Sequence, residues 1–208
     1  MQLPPDVSYR WLRDEPDRHS DRVSILSPDE RGRLVTFRAD KRRHEFTLGR
    51  AAARLLLAER LGLEPSEVPL RVDEDGGLSV EGSDLHVSIS HTARQAVAAV
   101  AHRPVGIDLE TIKSLRTEIR HFIFHEEDYG LFEGLPLDEH RAQILAWALK
   151  EAALKARRSG LRFSPRRMRI ALSLENRTAL LEEDTGTTWQ ASFLEQDGLY
   201  LAIAYRPD

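Results

Sequence analysis

The chain has 208 residues, 41% of them hydrophobic, a formal net charge of -4 and no cysteine. That is enough apolar content for one large core or two small ones, which excludes wholesale disorder, and the missing thiols exclude disulfides, thiolate metal sites and a cysteine nucleophile. The small net charge gives no global preference for nucleic acid or an acidic membrane.

The N-terminal stretch "MQLPPDVSYRWLRDEPDRHSDR" is charged and contains proline, unlike a signal peptide, and no apolar run is long enough to span a bilayer. A soluble cytoplasmic protein is expected. The first strong helix is "RRHEFTLGRAAARLLLAERLGL", where Phe46, Ala53, Leu56, Leu57 and Leu61 recur near helical spacing and Gly62-Leu63 supplies a stop. "VDEDGGLSVEGSD" reads as a turn-rich loop, its Gly76-Gly77 pair marking a hairpin or tight bend. "LHVSISH" alternates Leu85, Val87 and Ile89 with polar residues, the period of a strand with one buried face. "AVAAVA" and "VGIDLE" follow as short strands, separated by His102, Arg103 and Pro104, with the proline as the boundary between halves. A second helix, "EHRAQILAWALKEAALKARRSGL", also ends on Gly-Leu, at Gly160-Leu161. From "MRIALSL" through "TTWQASFLEQDGLYLAIAY" the chain reads as an antiparallel meander with turns at Asn176, Gly186 and Asp197-Gly198. Each half thus contributes strands and one long helix, which suggests an internal duplication.

Within "VGIDLE", residues two apart share a face, so Asp108 and Glu110 project together while Ile107 and Leu109 pack on the other side. Gly106 before them allows a close approach to the backbone. The same pattern also fits an exposed edge carrying two solvated carboxylates. On the second helix, Trp147, Glu151 and Lys155 stand at four-residue steps on one stripe, while Leu145, Ala148, Leu149 and Ala152 make most of the circumference apolar. An ordinary surface Glu-Lys pair is the plainer account of that stripe. Taken together, three carboxylates without thiolates point to a hard cation such as magnesium, which takes oxygen ligands and shares itself with phosphates. Lys150 and Lys155 would suit a phosphate beside it, and His91 either donates to another phosphate oxygen or is a satisfied structural histidine.

"VGIDLE" followed by "WALKEAALK" resembles the paired signature of the 4′-phosphopantetheinyl transferase superfamily, Sfp-type. "SISH" and "KRRHEFTLGRAAAR" are similar to that family's histidine-bearing strand and N-terminal arginine motif. The resemblance implies an α+β fold of two similar halves related by a pseudo-two-fold, each a small antiparallel sheet with a long helix, with residues 1–104 as the N-terminal half and residues 105–208 as the C-terminal half carrying the magnesium site. It implies an active site at their interface and transfer of 4′-phosphopantetheine from coenzyme A to a serine of an apo acyl or peptidyl carrier protein, releasing adenosine 3′,5′-bisphosphate. Asp108, Glu110 and Glu151 would hold magnesium. Lys155 would neutralise the pyrophosphate and protonate the leaving oxygen, and Glu151 would be the base. Arg42, Arg50, Ser90, His91, Asp108, Lys150 and Lys155 would contact the coenzyme, with Arg42, Arg50 and His91 near the 3′-phosphate. A monomer suffices, without nucleic acid or membrane partners, in fatty acid, polyketide or nonribosomal peptide biosynthesis.

Two departures stand out. "DGGLSV" lacks the lysine and proline of the family at Gly77 and Leu78, and Glu30 stands where some relatives have lysine, leaving Arg33 to make that contact. Residues 150–169 hold eight basic side chains against Glu151 alone, a flank expected to dock an acidic carrier through Leu161 and Phe163, or else a solvated basic loop. The competing functions are a magnesium-dependent phosphoesterase acting on a pyrophosphate or coenzyme A, and a non-catalytic anion- or RNA-binding module. The second is disfavoured because few aromatics interleave with the basic residues.

Overall fold

The computed structural model describes the chain except at residues 16, 18, 75, 93, 160, 161 and 208 and the side chains of residues 117 and 118. It divides into two compact units, one of Pro4–Arg103 and one of Pro104–Asp208 joined by Met1–Leu3. The N-terminal tripeptide belongs with the second unit, where Ser192 Oγ donates to the Gln2 carbonyl at 2.7 Å.

The first unit runs β1 (Ser8–Arg13), α1 (His19–Ser24), α2 (Pro28–Leu34), α3 (Asp40–Leu61), β2 (Leu70–Val72), β3 (Leu78–Val80), β4 (His86–Thr92) and β5 (Gln95–Ala101). Its strands form one antiparallel sheet in the order β1-β5-β4-β3-β2. Helix α3 forms because Ala51, Ala52, Ala53, Leu56 and Leu57 bury one side against the sheet. It stops where Gly62 turns left-handed at φ 68°, its N–H returning to the Ala58 carbonyl at 2.8 Å. The Gly76-Gly77 bend closes a β2–β3 hairpin, with Leu70 opposite Val80. Three elements of this unit, β1, α1 and α2, are not expected from the sequence. In β1, Arg10 and Arg13 interrupt an alternation that is only half buried. Helix α2 is short, and a capping box sets its start: Ser27 Oγ accepts from Glu30 N, and Glu30 Oε2 accepts from Ser27 N.

The second unit runs β6 (Val105–Thr111), α4 (Thr117–Ile123), α5 (Glu126–Glu133), α6 (Glu139–Arg157), β7 (Met168–Ser173), β8 (Thr178–Glu183), β9 (Thr188–Gln196) and β10 (Leu199–Tyr205). Its antiparallel sheet has the order β6-β10-β9-β8-β7. The two units therefore share one topology: a strand, two short helices, a long helix, and a meander whose last strand pairs with the first. This is the α+β arrangement expected, with two similar halves in one chain. The core of the second unit gathers Leu145, Leu149 and Ala153 of α6 with Met168, Trp189 and Tyr200 of the sheet. Helix α6 ends earlier than expected, at Arg157 with Arg158 left-handed at φ 59°, and the Gly160-Leu161 stop lies outside the described residues.

Strand β6 and helix α6 pack backbone to backbone. A Cβ added at Gly106 would stand 2.0 Å from the Ala152 carbonyl oxygen and 2.4 Å from the Ala156 nitrogen, so the two backbones touch. Gly106→Val should cost at least about 3 kcal/mol in urea unfolding. Gly130→Ala, with no atom within 4 Å of the new carbon, should be neutral or slightly stabilising.

Candidate active site

Strand β6 buries Val105, Ile107 and Leu109 on one face and turns Gly106, Asp108 and Glu110 to the other. The contact at Gly106 lays α6 along that second face. Lys155 Nζ donates to Asp108 Oδ1 at 2.6 Å and to the Ile107 carbonyl at 3.1 Å. Two turns back along α6, Trp147 Nε1 donates to Glu110 Oε1 at 3.0 Å. Glu151 lies between them on the same stripe, half-buried. The structure thus brings Asp108, Glu110, Glu151 and Lys155 together, and it adds Trp147 as the group that holds Glu110. The only sequence signal for that indole was its four-residue step from Glu151.

Burial pushes the Glu110 carboxyl up to about 7, the Asp108 charge adds to the rise, and the Trp147 N–H opposes it. Glu151 is raised as well, first by burial and then by Asp108, with Lys155 pulling it back. Three carboxylates, two of them raised by burial and by the Asp108 charge, have the oxygen donors to suit a hard divalent cation. Among the described residues, however, no three His, Asp or Glu side chains converge as a ready metal site. Lys155 is a cation that meets Asp108 here.

Lys150 is a correction. Its side chain is 0% exposed and donates to Asp128 Oδ2 at 2.5 Å and to the Ile123 carbonyl at 3.2 Å. Burial lowers its pKa, with Asp128 opposing. An ammonium so enclosed cannot reach a ligand phosphate without leaving Asp128 buried and unpaired, so Lys150 is a core ion pair joining α6 to α5. The basic flank also differs from expectation. Arg157 binds both carboxylate oxygens of Glu183 at 3.1 and 3.2 Å, Arg167 binds Asp184 at 2.6 and 2.9 Å, and Arg169 lies 3.2 Å from Glu127. Phe163 is buried between Arg157 and Arg167, whose guanidinium carbons stand 4.2 and 4.6 Å from its ring centre, so it is no surface anchor. Leu161 lies outside the described residues.

In the first unit, Arg42 is exposed on α3 with its guanidinium 5.6 Å from the Phe37 ring. Arg50 is largely enclosed, which lowers its pKa, and its Nε lies 3.7 Å from Glu30 Oε1. Arg33 and Arg50 both lie over Phe46, at 5.7 and 5.4 Å. Glu30 also takes the fully buried Arg54, whose Nε donates to it at 2.5 Å while NH1 reaches the Pro65 and Val68 carbonyls. Its carboxylate therefore fastens α2 to α3. Ser90 is buried on β4, and His91 beside it has Nδ1 3.9 Å from Glu45 Oε2.

Residues 104–204 match the 4′-phosphopantetheinyl transferase superfamily, and residues 30–101 match the 4′-phosphopantetheinyl transferase N-terminal domain. The chain belongs to the 4′-phosphopantetheinyl transferase superfamily and, by its relatives, to the Sfp type. It is 34% identical over 174 residues to the 4′-phosphopantetheinyl transferase HetI of Nostoc sp., covering 77% of this chain and 73% of that protein. With the 4′-phosphopantetheinyl transferase Sfp of Bacillus subtilis it shares 27% identity over 141 residues, 67% of this chain and 63% of the relative. Among solved structures, the Thermotoga maritima holo-[acyl-carrier-protein] synthase aligns with 50% of this chain and 64% of its own at 22% identity and a TM-score of 0.42.

Two variants probe the geometry. Lys150→Ala should cost about 3–5 kcal/mol of stability in urea unfolding, because it strands the Asp128 charge. Glu110→Gln should do the opposite at alkaline pH. Since the folded Glu110 holds its proton up to about 7 and the unfolded one only to the ordinary 4.5, its contribution to stability is intact below 4.5 and is lost as pH rises towards 7. The variant escapes that loss. In metal-free buffer its stability should gain on the parent's between pH 5 and pH 8 by about 1–2 kcal/mol after screening, roughly 2–8 °C in melting temperature, whereas a pH-independent difference would contradict the raised pKa.

Proposed function

We propose that this chain transfers the 4′-phosphopantetheine group from coenzyme A to a serine hydroxyl of an apo acyl or peptidyl carrier protein, releasing adenosine 3′,5′-bisphosphate. The observation that carries this reading is the cluster of Asp108, Glu110, Glu151 and Lys155 where α6 crosses β6, in a chain of this family. The serine Oγ attacks the phosphorus nearer the pantetheine, and the bond from that phosphorus to the oxygen bridging the two phosphates breaks. Glu151 accepts the serine proton, as a carboxylate of the cluster that Lys155 does not bind. Lys155 neutralises charge on the departing 5′-phosphate and can return a proton to it. Magnesium, held by oxygens of Asp108, Glu110 and Glu151, would withdraw charge from the pyrophosphate. Asp108 would thereby also serve coenzyme binding, with Trp147 keeping Glu110 oriented.

In the first unit, Arg42, Arg50, Ser90 and His91 would serve the coenzyme, the arginines and His91 at its 3′-phosphate. Lys150 drops out of that set, being enclosed with Asp128. Nothing in the reaction requires a second copy of the chain or a membrane, and among the described residues no helix is long and apolar enough to cross one. Action as a monomer in the cytoplasm belongs to the same proposal.

The test is intact-mass analysis of apo carriers from fatty acid, polyketide and peptide-synthetase systems, incubated with the protein, coenzyme A and magnesium. A phosphopantetheine mass gain, falling at least 100-fold in rate with Glu151→Ala and lost with EDTA, is expected. Magnesium-dependent cleavage of coenzyme A without any carrier would identify a phosphoesterase instead, and salt-sensitive RNA binding with no metal requirement would identify a binding module.

A further inference from the structure

Two stripes run along α6. Trp147, Glu151 and Lys155 stand at four-residue steps on the stripe that faces the cluster. Ala142, Ala146 and Lys150 stand at the same steps on another, one residue earlier and so about 100° away around the helix. The two alanines pack with Ile123, Phe124 and Phe132, around the corner between α4 and α5. At the end of this stripe Lys150 Nζ donates to the carbonyl of Ile123, the last residue of α4, and to Asp128 Oδ2. That same oxygen accepts from the His125 N–H at 2.9 Å, as part of the capping box that starts α5. One ammonium and one carboxylate oxygen thus join three helices, with side chains 0% and 3% exposed. The ion pairs at the ends of α6, Arg141 with Glu195 and Arg157 with Glu183, have arginines 30% and 33% exposed. Water competes for those guanidinium groups far more than for the enclosed ammonium.

We propose that Lys150 and Asp128 are positioning residues for the transfer: from inside the core they fix the rotation of α6, and with it the point at which the Glu151 carboxylate meets the carrier serine. This rests on the transferase reading above, in which Glu151 takes the serine proton. Apolar burial draws α6 onto the sheet but is non-directional, and the Gly106 contact sets how near the helix lies to β6. A directional ion pair at mid-helix sets how it is turned. A carboxylate held about 5–6 Å from the helix axis moves about 1 Å for a turn of about 10°, and about 1 Å of misplacement lowers a rate on the order of 100-fold. Stability does not call for this pair, since an apolar pair of the same size would avoid the desolvation of both charges. Enclosed as they are, Lys150 and Asp128 touch neither coenzyme nor carrier, so their loss acts on the chemical step and spares coenzyme binding.

The test is steady-state transfer to an apo carrier by the full-length protein at saturating magnesium, with Lys150→Met/Asp128→Asn as the variant. Methionine fills the volume of the lysine stem and asparagine keeps an oxygen to cap α5, so no charge is stranded while the ion pair is gone. Urea unfolding and circular dichroism set a temperature at which parent and variant are both folded. There kcat should fall at least about tenfold, while the KM for coenzyme A changes by less than about twofold. Lys150→Gln/Asp128→Asn, whose amides can hydrogen-bond across the same gap, should recover part of the lost kcat. Lys150→Leu/Asp128→Asn takes the place of the methionine variant if that one does not fold. An unchanged kcat in the folded apolar variant, a raised KM for coenzyme A, or a folded glutamine variant with no recovery overturns the positioning role and leaves the transferase reading standing. If the parent modifies no carrier, the transferase reading falls and this inference with it.

Discussion

The second unit depends on one contact, the touching of two backbones at Gly106. Helices normally rest on sheets through side chains, which keeps their axis well clear of the strand. Here the missing Cβ lets the Ala152 carbonyl and the Ala156 amide settle onto β6. That approach brings the last turns of α6 within reach of the next two residues on the same strand face. Lys155 then meets Asp108, and Trp147 meets Glu110. A bulkier residue would lift the helix and separate both pairs together.

The site so formed is electrostatically costly. Two half-buried carboxylates have raised pKa values because the protein removes their water and sets Asp108 near them. A surface optimised for stability alone would not carry two such groups beside a buried aspartate. The strain is held by the surroundings: Lys150 and Asp128 pin α6 to α5 through a fully enclosed ion pair, and the aromatic cluster of Phe124, Tyr129 and Phe132 packs beside it. Rigid fixing of the helix on one side lets the other side carry crowded charge.

The first unit shows the same topology without the same chemistry. Arg13 pairs with Gln95 and Thr111 with Leu199, the opening residues of β5 and β10, so Arg10 occupies the register position of Asp108. Arg10 is paired with Glu59 near the end of α3, much as Asp108 is paired with Lys155 near the end of α6. The charges are inverted, and a strand arginine with a helix glutamate offers no cation site. One architecture therefore supports a cluster of acids in one unit and an ordinary ion pair in the other, which shows that the fold alone does not specify the function.

Periodicity is a local property, and for that reason the sequence by itself determined the long helices and the meander, and the short motifs "VGIDLE" and "WALKEAALK" carried the resemblance that implied the family, the α+β class and the residues of the acidic cluster. Strand β1 and helices α1 and α2 escaped because strand arginines and short, polar helical turns leave little apolar period to read. Partner choice is not local. Lys150 and Lys155 look alike in "KEAALK", yet one enters the core to meet Asp128, 22 residues away, and the other crosses to Asp108, 47 residues away. Arg157 and Arg167 look like a free basic flank until Glu183 and Asp184 fold against them. Which acid meets which base, and hence which cations remain available to a phosphate, was decided only by tertiary structure, because a charge on a helix takes its energy from whatever the packing of distant segments sets beside it.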